Sequence, residues 1–385
     1  MFIDIACSQK KKYDQNAYGD FFASNRFPNM NRVVAVLSDG LGSGIKANIL
    51  ACMTSTMLLK FMENHSDIEK SCEIIMNSLP VCKVRGISYS TFSAIDCFED
   101  GKAKIVEEGN PDFIWIRNGE VLKPEFQTIQ SKDFKNRKMK VYNIKLEKHD
   151  RIIFCSDGAT QVAMGTKEYP LGLERDGLIK IILKKLEQEP EISSKDLSEF
   201  LVKQIEFIAP NRELKDDTSI LSIYCRDPRK SLIFTGPPFH SEKDNFYAKT
   251  FMDFKGKKAI SGGTTANIIS RELNIPVVAD MSTNRGKLPG LLKMDGVDLV
   301  TEGILTLTKT LEYLQSGESE DDAAGILMNF LLNSDVISFL VGAQMNKAHY
   351  DPNLPIEIEI RKNVIKQMAH VLEEKYLKKV EVQFI

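Results

Sequence analysis

The alternation of apolar and polar residues divides the chain into two parts with different patterns. Up to about residue 226, short β-prone runs bounded by turn signals are interspersed with amphipathic helical stretches. From residue 231, strands and helices alternate regularly. The polar, proline-broken run Arg226-Asp227-Pro228-Arg229-Lys230 separates the two patterns and predicts a domain boundary. We therefore expect one domain at 1–226 and a second at 231–385.

One apolar run, Val33–Leu37, ends in Ser38-Asp39-Gly40 and is followed by a helical pattern. Apolar residues then recur every four positions, which predicts an amphipathic helix that packs through that face. These residues are Ile45, Ile49, Met53, Met57 and Phe61. A second helix is predicted from Ile68 through Ile75 to Leu79, where Pro80 ends it.

The middle of the first part changes to a β-sheet period. Turn signals such as Asn118-Gly119 separate its short strands, which predicts an antiparallel meander. The predicted strands are 86–98, 103–107, 113–117, 120–122, 141–146 and 151–155. After the last strand comes Ser156-Asp157-Gly158, then two predicted helices at 174–188 and 194–208. The acidic pair Asp216-Asp217 opens a final β-prone run.

The second part has the alternating pattern of an α/β domain. Its predicted strands are 231–235, 258–261, 276–280, 299–300, 336–341 and 380–384. Its predicted helices follow 262–265 and occupy 302–315, 320–332 and 361–377. The fold class expected for the chain is α+β, with a smaller α/β domain at its C-terminal end.

Composition limits the classes of function. The chain has 385 residues and a formal net charge of −2, so it offers no basic field for nucleic acid and no polybasic membrane patch. No apolar run approaches the roughly 20 residues that cross a bilayer, and no signal peptide opens the chain. Its seven cysteines are scattered without CxxC pairs, which argues against a disulfide framework or zinc site. We expect a cytoplasmic protein.

Four acidic residues share one context. Asp20 follows Gly19, Asp39 and Asp157 end strands before a glycine, and Asp217 begins a strand. On its own, an Asp-Gly pair after an apolar run is usually only a tight turn. Together, carboxylates at strand ends without histidine or cysteine suit Mg²⁺ or Mn²⁺, and two such ions about 3.5–4 Å apart can share a carboxylate.

These motifs occur in a familiar order. Gly19-Asp20, Ser38-Asp39-Gly40, Ser156-Asp157-Gly158 and Asp216-Asp217-Thr218-Ser219 resemble the SpoIIE-like branch of the metal-dependent (PPM-type) serine/threonine protein phosphatases. The resemblance covers residues 1 to about 226 and implies an αββα sandwich. It implies two Mn²⁺ or Mg²⁺ ions and attack of a metal-bridging water on phosphoserine or phosphothreonine of a protein.

The resemblance also assigns roles. It implies that Asp39 bridges both ions, that Asp20 and the carbonyl of Gly40 bind one, and that Asp157 and Asp217 hold the other. Asp39, Asp157 and Asp217 would therefore be catalytic. Gln161 stands where the family often has an acidic residue.

The resemblance further implies a regulatory switch and a partner. The switch would be formed by the two helices after Asp39, represented by Ile45, Ile49, Met53 and Ile75. A small anti-anti-sigma-type regulator is the implied class of phosphorylated partner, and a homodimer is left open. A different hypothesis makes the chain a ligand-sensing or scaffolding protein whose phosphatase domain is vestigial.

One motif in the second part is not covered by this resemblance. In Gly262-Gly263-Thr264-Thr265, glycines and hydroxyls join a strand to a helix. Such a junction can bind an anion through free N–H groups and the helix dipole. The alternative is a tight connection in which Thr265 caps the helix. Both remain open, as does a small ligand of the C-terminal domain, and Thr301-Glu302-Gly303 is a candidate for the same crevice.

Overall fold

A computed structural model describes residues 1–27, 30–42, 44–63, 67–78, 90–130, 137–279, 291–343 and 354–385. The chain forms two units, Met1–Asp227 and Pro228–Ile385, which are described separately. In the described residues, no helix is both long enough and apolar enough to cross a membrane.

The first unit contains two antiparallel sheets. In spatial order, the first sheet has strands β1 (Phe2–Lys10), β11 (Thr218–Arg226), β10 (Arg151–Cys155), β6 (Ile114–Arg117) and β7 (Glu120–Leu122). The second has β2 (Asp20–Phe27), β3 (Arg32–Gly40), β4 (Ser90–Phe98), β5 (Lys102–Glu108), β9 (Lys138–Lys145) and β8 (Gln127–Gln130). All neighbouring pairs are antiparallel.

Four layers result, because each sheet is buried on both faces. Val33, Ala35 and Leu37 of β3 point into the core between the sheets, whereas Val34 and Val36 point toward helices. Those helices are α1 (Ile45–Glu63) and α2 (Ile68–Ser78). A short helix, α3 (Asp157–Thr160), follows β10, and α4 (Glu174–Gln188) and α5 (Ser194–Ile208) cover the outer face of the first sheet. The αββα sandwich implied by the resemblance is confirmed.

The predicted meander is wrong. The chain places β4 and β5 in the second sheet, crosses to the first for β6 and β7, and returns for β8 and β9. Periodicity could not reveal this, since a strand buried on one face looks the same in either sheet. Strands β2 and β8 were also not predicted. Leu79, Pro80 and the predicted strand start at 86–89 lie outside the described residues.

The apolar face predicted for α1 is not its packing face. Ile45, Ile49 and Met53 are at least half exposed, while Met57 and Phe61 are only partly buried. The buried residues are instead mostly small, namely Ala47, Ala51, Thr54, Ser55, Leu58 and Met62. Small side chains let the helix approach the sheet closely, so packing overrides the four-residue apolar repeat.

The second unit has one seven-stranded sheet. Its spatial order is β14 (Val277–Ala279), β15 (Leu292–Met294), β16 (Leu299–Thr301), β13 (Lys257–Ser261), β12 (Lys230–Thr235), β17 (Val336–Val341) and β18 (Lys379–Phe384). The five strands from β16 to β18 are parallel, and β14 and β15 form an antiparallel edge.

Helices cover both faces of this sheet, as in doubly wound folds. On one face lie α6 (Asp244–Met252) and α7 (Gly263–Leu273), and on the other α8 (Ile304–Ser316), α9 (Ala323–Leu332) and α10 (Leu354–Glu374). The α/β expectation is therefore met, although α6 and β15 were not predicted and α10 begins earlier than 361. Asp280, the predicted end of β14, lies outside the described residues.

Candidate active site

Asp20 and Asp39 lie side by side at one edge of the second sheet. Asp20 is the first residue of β2 and pairs in register with Asp39, near the end of β3. Their carboxyl groups are within hydrogen-bond reach of each other. Burial, then the charges of Asp20, Asp157 and Asp216, raise the pKa of Asp39 to about 10. Carboxyl groups from separate segments thus meet at this strand end.

Asp20 is almost fully buried and is held by hydroxyl groups. The Ser219 hydroxyl donates to Asp20 Oδ2 at 2.6 Å. Burial raises the pKa of Asp20 to about 7, although hydrogen bonds from Ser219 and Ser156 oppose the shift. Ser219 lies on β11, so this bond joins the edges of the two sheets.

Gly40 explains how α1 comes to lie against Asp39. A Cβ atom at Gly40 would stand 2.1 Å from the Ala47 carbonyl oxygen, so only glycine permits this approach. About two turns further along α1, the Ser55 hydroxyl bonds to Ser38 Oγ at 2.9 Å. The first three turns of α1 are therefore packed directly on the residues that flank Asp39.

Asp157 and Asp216 form the other part of the cluster. Asp157 follows β10 as the first residue of α3, and a Cβ at Gly158 would stand 2.1 Å from the Asp217 carbonyl oxygen. This close approach sets Asp157 near Asp216. Burial and the charge of Asp157 raise the pKa of Asp216. Gln161, the departure from the family pattern, donates from Nε2 to Asp157 Oδ2 at 3.1 Å.

Asp217 has a different environment from the one expected. Its carboxylate accepts the backbone N–H of Gly19 at 2.9 Å and of Lys12 at 3.1 Å, and only 3% of the residue is exposed. It thereby fixes the loop that leads to Asp20. The charge of Asp217 raises the pKa of Asp20, whereas the charge of Asp216, to which no role was assigned from the sequence, raises the pKa of Asp39. The charge of Asp157 in turn raises the pKa of Asp216. The sequence feature that could have indicated Asp216 is the adjacent pair itself, because the side chains of neighbouring residues point in different directions.

The donor set has the chemistry of a site for a hard cation. Its side chains are all carboxylates, and two of the four have a pKa at or above neutrality, so protons substitute for a missing positive charge. In the part of the chain that the structure describes, no three acidic, histidine or cysteine side chains already surround a common point as metal ligands. The residues fit Mg²⁺ or Mn²⁺ by donor type, and binding would have to draw the carboxylates closer together.

Comparison with known proteins places this arrangement. The sequence profile of the family Stage II sporulation protein E (SpoIIE) matches residues 29–226, more than half of the chain. The chain belongs to the SpoIIE family. The profile includes Asp39, Asp157 and the Asp216-Asp217 pair, whereas Asp20 precedes it. No curated protein matches the chain.

Solved structures similar to this SpoIIE-family chain are distant from it in sequence. The PP2C phosphatase domain with a fragment of the regulatory domain of SpoIIE from Bacillus subtilis is 18% identical, with a TM-score of 0.48 over 58% of this chain and 62% of that one. The chain thus spans about three fifths of that structure's length. The RsbU and RsbW domains of a Mycobacterium tuberculosis protein are 16% identical, with a TM-score of 0.46 over 64% of this chain and 67% of that one. RsbX in complex with magnesium is 20% identical, with a TM-score of 0.40 over 57% and 94%.

The remaining predicted residues lie elsewhere. Ile75 of α2 is buried in the apolar core between the second sheet and its helices, whereas Ile45, Ile49 and Met53 line the exposed side of α1. The segment 262–265 belongs to the second unit, where it joins β13 to α7.

Proposed function

We propose that the chain is a Mn²⁺- or Mg²⁺-dependent phosphatase that removes phosphate from serine or threonine side chains of a protein partner. The observation that supports this most is the convergence of Asp20, Asp39, Asp157 and Asp216 from four separate segments. Membership of the SpoIIE family supports the same reaction. A vestigial domain would have little reason to keep four mutually repelling carboxylates together.

Each acidic residue has its own part in this proposal. Asp39, whose pKa is raised by the charges of the other three, would contribute to holding both ions. Asp20 and the Gly40 carbonyl would hold one ion, and Asp157 with Asp216 would hold the other. Asp217 positions the loop before Asp20 through its two backbone hydrogen bonds. When bound, such ions activate water and neutralise the charge of a phosphoryl group.

The partner is proposed to be a phosphorylated regulatory protein of the anti-anti-sigma type. Asp39, Asp157 and Asp216 are all partly exposed, so a side chain carried on another protein can reach them. Among the similar structures, RsbX is described in complex with magnesium and RsbU is described together with an RsbW domain. The partner class itself comes from the motif resemblance, which implies it.

We also propose that α1 controls the site. The Gly40–Ala47 approach and the Ser38–Ser55 hydrogen bond tie the helix to both neighbours of Asp39. A shift of α1 along the sheet would therefore move the Asp39 carboxylate. Ile45, Ile49 and Met53 belong to this proposal as an exposed stripe on which a regulator could act.

The central test measures hydrolysis of p-nitrophenyl phosphate and of a phosphoserine peptide with Mn²⁺. We expect Asp39→Asn and Asp157→Asn to lower kcat/KM at least about 100-fold, because losing a group that merely orients a ligand already costs about 10–100-fold. Glu120→Gln, at an exposed position of the same unit, serves as the control. Activity that persists in both aspartate variants, or that needs no metal, would refute the proposal.

A further inference from the structure

The strand ends of the second unit have the topology at which open α/β sheets form a ligand crevice. All five parallel strands point their carboxyl ends to one edge of the sheet, where β13 and β16 are neighbours. The helices that follow them leave on opposite faces, because α7 packs in one apolar core and α8 in the other. Ligands of open α/β sheets bind outside the carboxyl ends of strands at such a divergence.

Two helix N-termini meet at this edge of the sheet. Gly262 precedes α7 and Gly303 precedes α8, and neither helix has a side-chain cap. A Cβ at Gly303 would stand 3.7 Å from Gly262 Cα, so the two junctions touch. The first intrahelical bonds are donated by Ala266 and Leu307, which leaves the three preceding N–H groups of each helix without intrahelical acceptors.

Hydroxyl groups without partners line the same edge. Thr265 and Thr306, each in the first turn of its helix, and Thr235, at the end of β12, are fully buried, and their Oγ1 atoms make no hydrogen bond to any residue that the structure describes. Buried hydroxyls normally form hydrogen bonds, so three without a partner along one edge indicate a place where a ligand could supply the acceptor. In contrast, the hydroxyls of Ser261 and Thr301 both donate to the Glu302 carbonyl oxygen.

Thr265 does not cap its helix, so that alternative from the sequence is wrong. The N-cap residue is Gly262, and Thr265 is the third residue of α7. The Thr265 hydroxyl lies 3.4 Å from the place that a Cβ of Gly262 would occupy, and therefore faces the glycine turn. The hydroxyl, the turn and the uncapped N-terminus point to one place.

The two glycines keep that place accessible to a ligand. Gly262 has φ 134° and ψ 124°, a conformation that residues with side chains avoid. Among the described residues, no atom lies within 4 Å of the Cβ position of Gly263, so open space adjoins the first turn of α7. Backbone N–H groups can thus be approached directly.

We propose that the second unit binds the phosphate group of a small ligand between the N-termini of α7 and α8. The groups without partners are donors in character, and each helix terminus adds roughly half a positive charge, which together suit a group with one to two negative charges. A phosphate offers three strongly accepting oxygens for the Thr265 and Thr306 hydroxyls and the backbone N–H groups. This binding site is separate from the carboxylate cluster of the first unit in both chemistry and sequence.

The test titrates the full chain with inorganic phosphate in EDTA, by calorimetry and by thermal unfolding. EDTA removes metal from the first unit, whose carboxylates then repel anions. We expect saturable binding that Thr265→Val weakens at least about tenfold, since it removes one hydroxyl and leaves shape nearly unchanged. Thr250→Val, at an exposed helical threonine, is the control and should bind as the wild type does.

A second variant keeps the test decisive if Thr265→Val fails to fold. Gly263→Asp places a carboxylate in the open space at the N-terminus of α7, where it should raise the melting temperature without ligand and abolish the phosphate response. AMP and glucose 6-phosphate distinguish a carried phosphate from free phosphate, and preference for any of the three supports the proposal. Wild type that fails to bind any of them, binding unaffected by both variants, or equal binding of acetate would overturn it.

Discussion

The two units collect opposite kinds of polar group at the ends of their strands. In the first unit, carboxylates accumulate until burial and mutual repulsion raise the pKa of Asp39 to about 10. In the second, hydroxyls and uncapped helix N-termini accumulate, and Thr235, Thr265 and Thr306 have buried hydroxyls without partners in the described part of the chain. The first edge is therefore suited to binding cations and the second to binding an anion.

The difference follows from how each edge is built. The acidic edge combines residues from the ends of two antiparallel sheets, and its outermost members, Asp20 and Asp216, lie almost 200 positions apart in the chain. The donor edge arises from two strand–helix junctions of a parallel sheet, where the amino ends of helices necessarily gather. Glycines serve both edges differently. Gly40 and Gly158 admit neighbouring backbone, whereas Gly263 adjoins open space.

The largest effect on activity should come from substituting the adjacent residues Asp216 and Asp217 one at a time. We expect Asp216→Asn to lower the Mn²⁺-dependent kcat/KM by about 10–100-fold or more with little change in stability, since it removes a proposed ligand. Asp217→Asn should instead lower the free energy of unfolding by about 1–3 kcal/mol, because an amide leaves one of two backbone N–H groups without its acceptor. Steady-state kinetics and urea unfolding of both variants check this. The reverse result, with Asp217→Asn stable but unable to bind metal, would restore Asp217 as the ligand.

The two kinds of glycine can be compared by the same substitution. Gly40→Ala would place a methyl group against the Ala47 carbonyl, so we expect a loss of about 1–3 kcal/mol in the free energy of unfolding together with reduced activity. Gly263→Ala, with space for its methyl group at a helix start, should be neutral or stabilise by about 0.4–1 kcal/mol. Chemical denaturation measures both. If both variants lost the same free energy of unfolding, there would be no room for a methyl group at Gly263.

Glu107 is a buried carboxyl group away from the acidic edge, and it tests whether burial and a raised pKa alone are enough to make a carboxyl group necessary for activity. Burial, with a smaller contribution from Asp112, raises the pKa of Glu107 to about 8, and its Oε1 accepts the Phe113 N–H at 3.0 Å. The folded state holds this proton more tightly than the unfolded state, so stability should fall as pH rises from about 4.5 to about 8.

Glu107→Gln should flatten that pH dependence while leaving the Mn²⁺-dependent activity intact. Urea unfolding across pH 5 to 8 and kinetics at one pH measure the two quantities, with Glu125→Gln at an exposed position as the control. An unchanged pH profile would show that Glu107 is ionised in the folded protein. If Glu107→Gln abolished the Mn²⁺-dependent activity, Glu107 would have to be counted as part of the acidic site.

The smallest effect concerns the helices that follow the two edges. α7 buries Ala266, Ile268 and Ile269, whereas α1 exposes about half of Ile49. We therefore expect Ile49→Ser to change the free energy of unfolding by no more than about 0.5 kcal/mol. Leu58→Ala, on the buried side of α1, should cost about 2–5 kcal/mol and provides the contrast. If Ile49→Ser is as destabilising as Leu58→Ala, the packing face of α1 is the one predicted from the sequence.

The sequence by itself determined the local features of this protein. Helices at 174–188 and 194–208 and the strand at 336–341 were predicted at their observed bounds, because each has a strong local period and clear end signals. The motifs at Asp20, Asp39, Asp157 and Asp216-Asp217 were also sufficient for the family assignment. Such features depend on residues close together in the chain.

Only the tertiary structure decided which residues meet. It showed that Asp216 faces Asp39 and Asp157 while Asp217 turns to Gly19, since two adjacent acidic residues look equivalent until a neighbouring loop takes one of them. It also showed that α1 packs through mostly small residues, because these side chains let the helix lie close to the sheet. Thr265 was equally ambiguous until Gly262 proved to be the cap. Each of these choices depends on contacts between distant segments, which local periodicity does not encode.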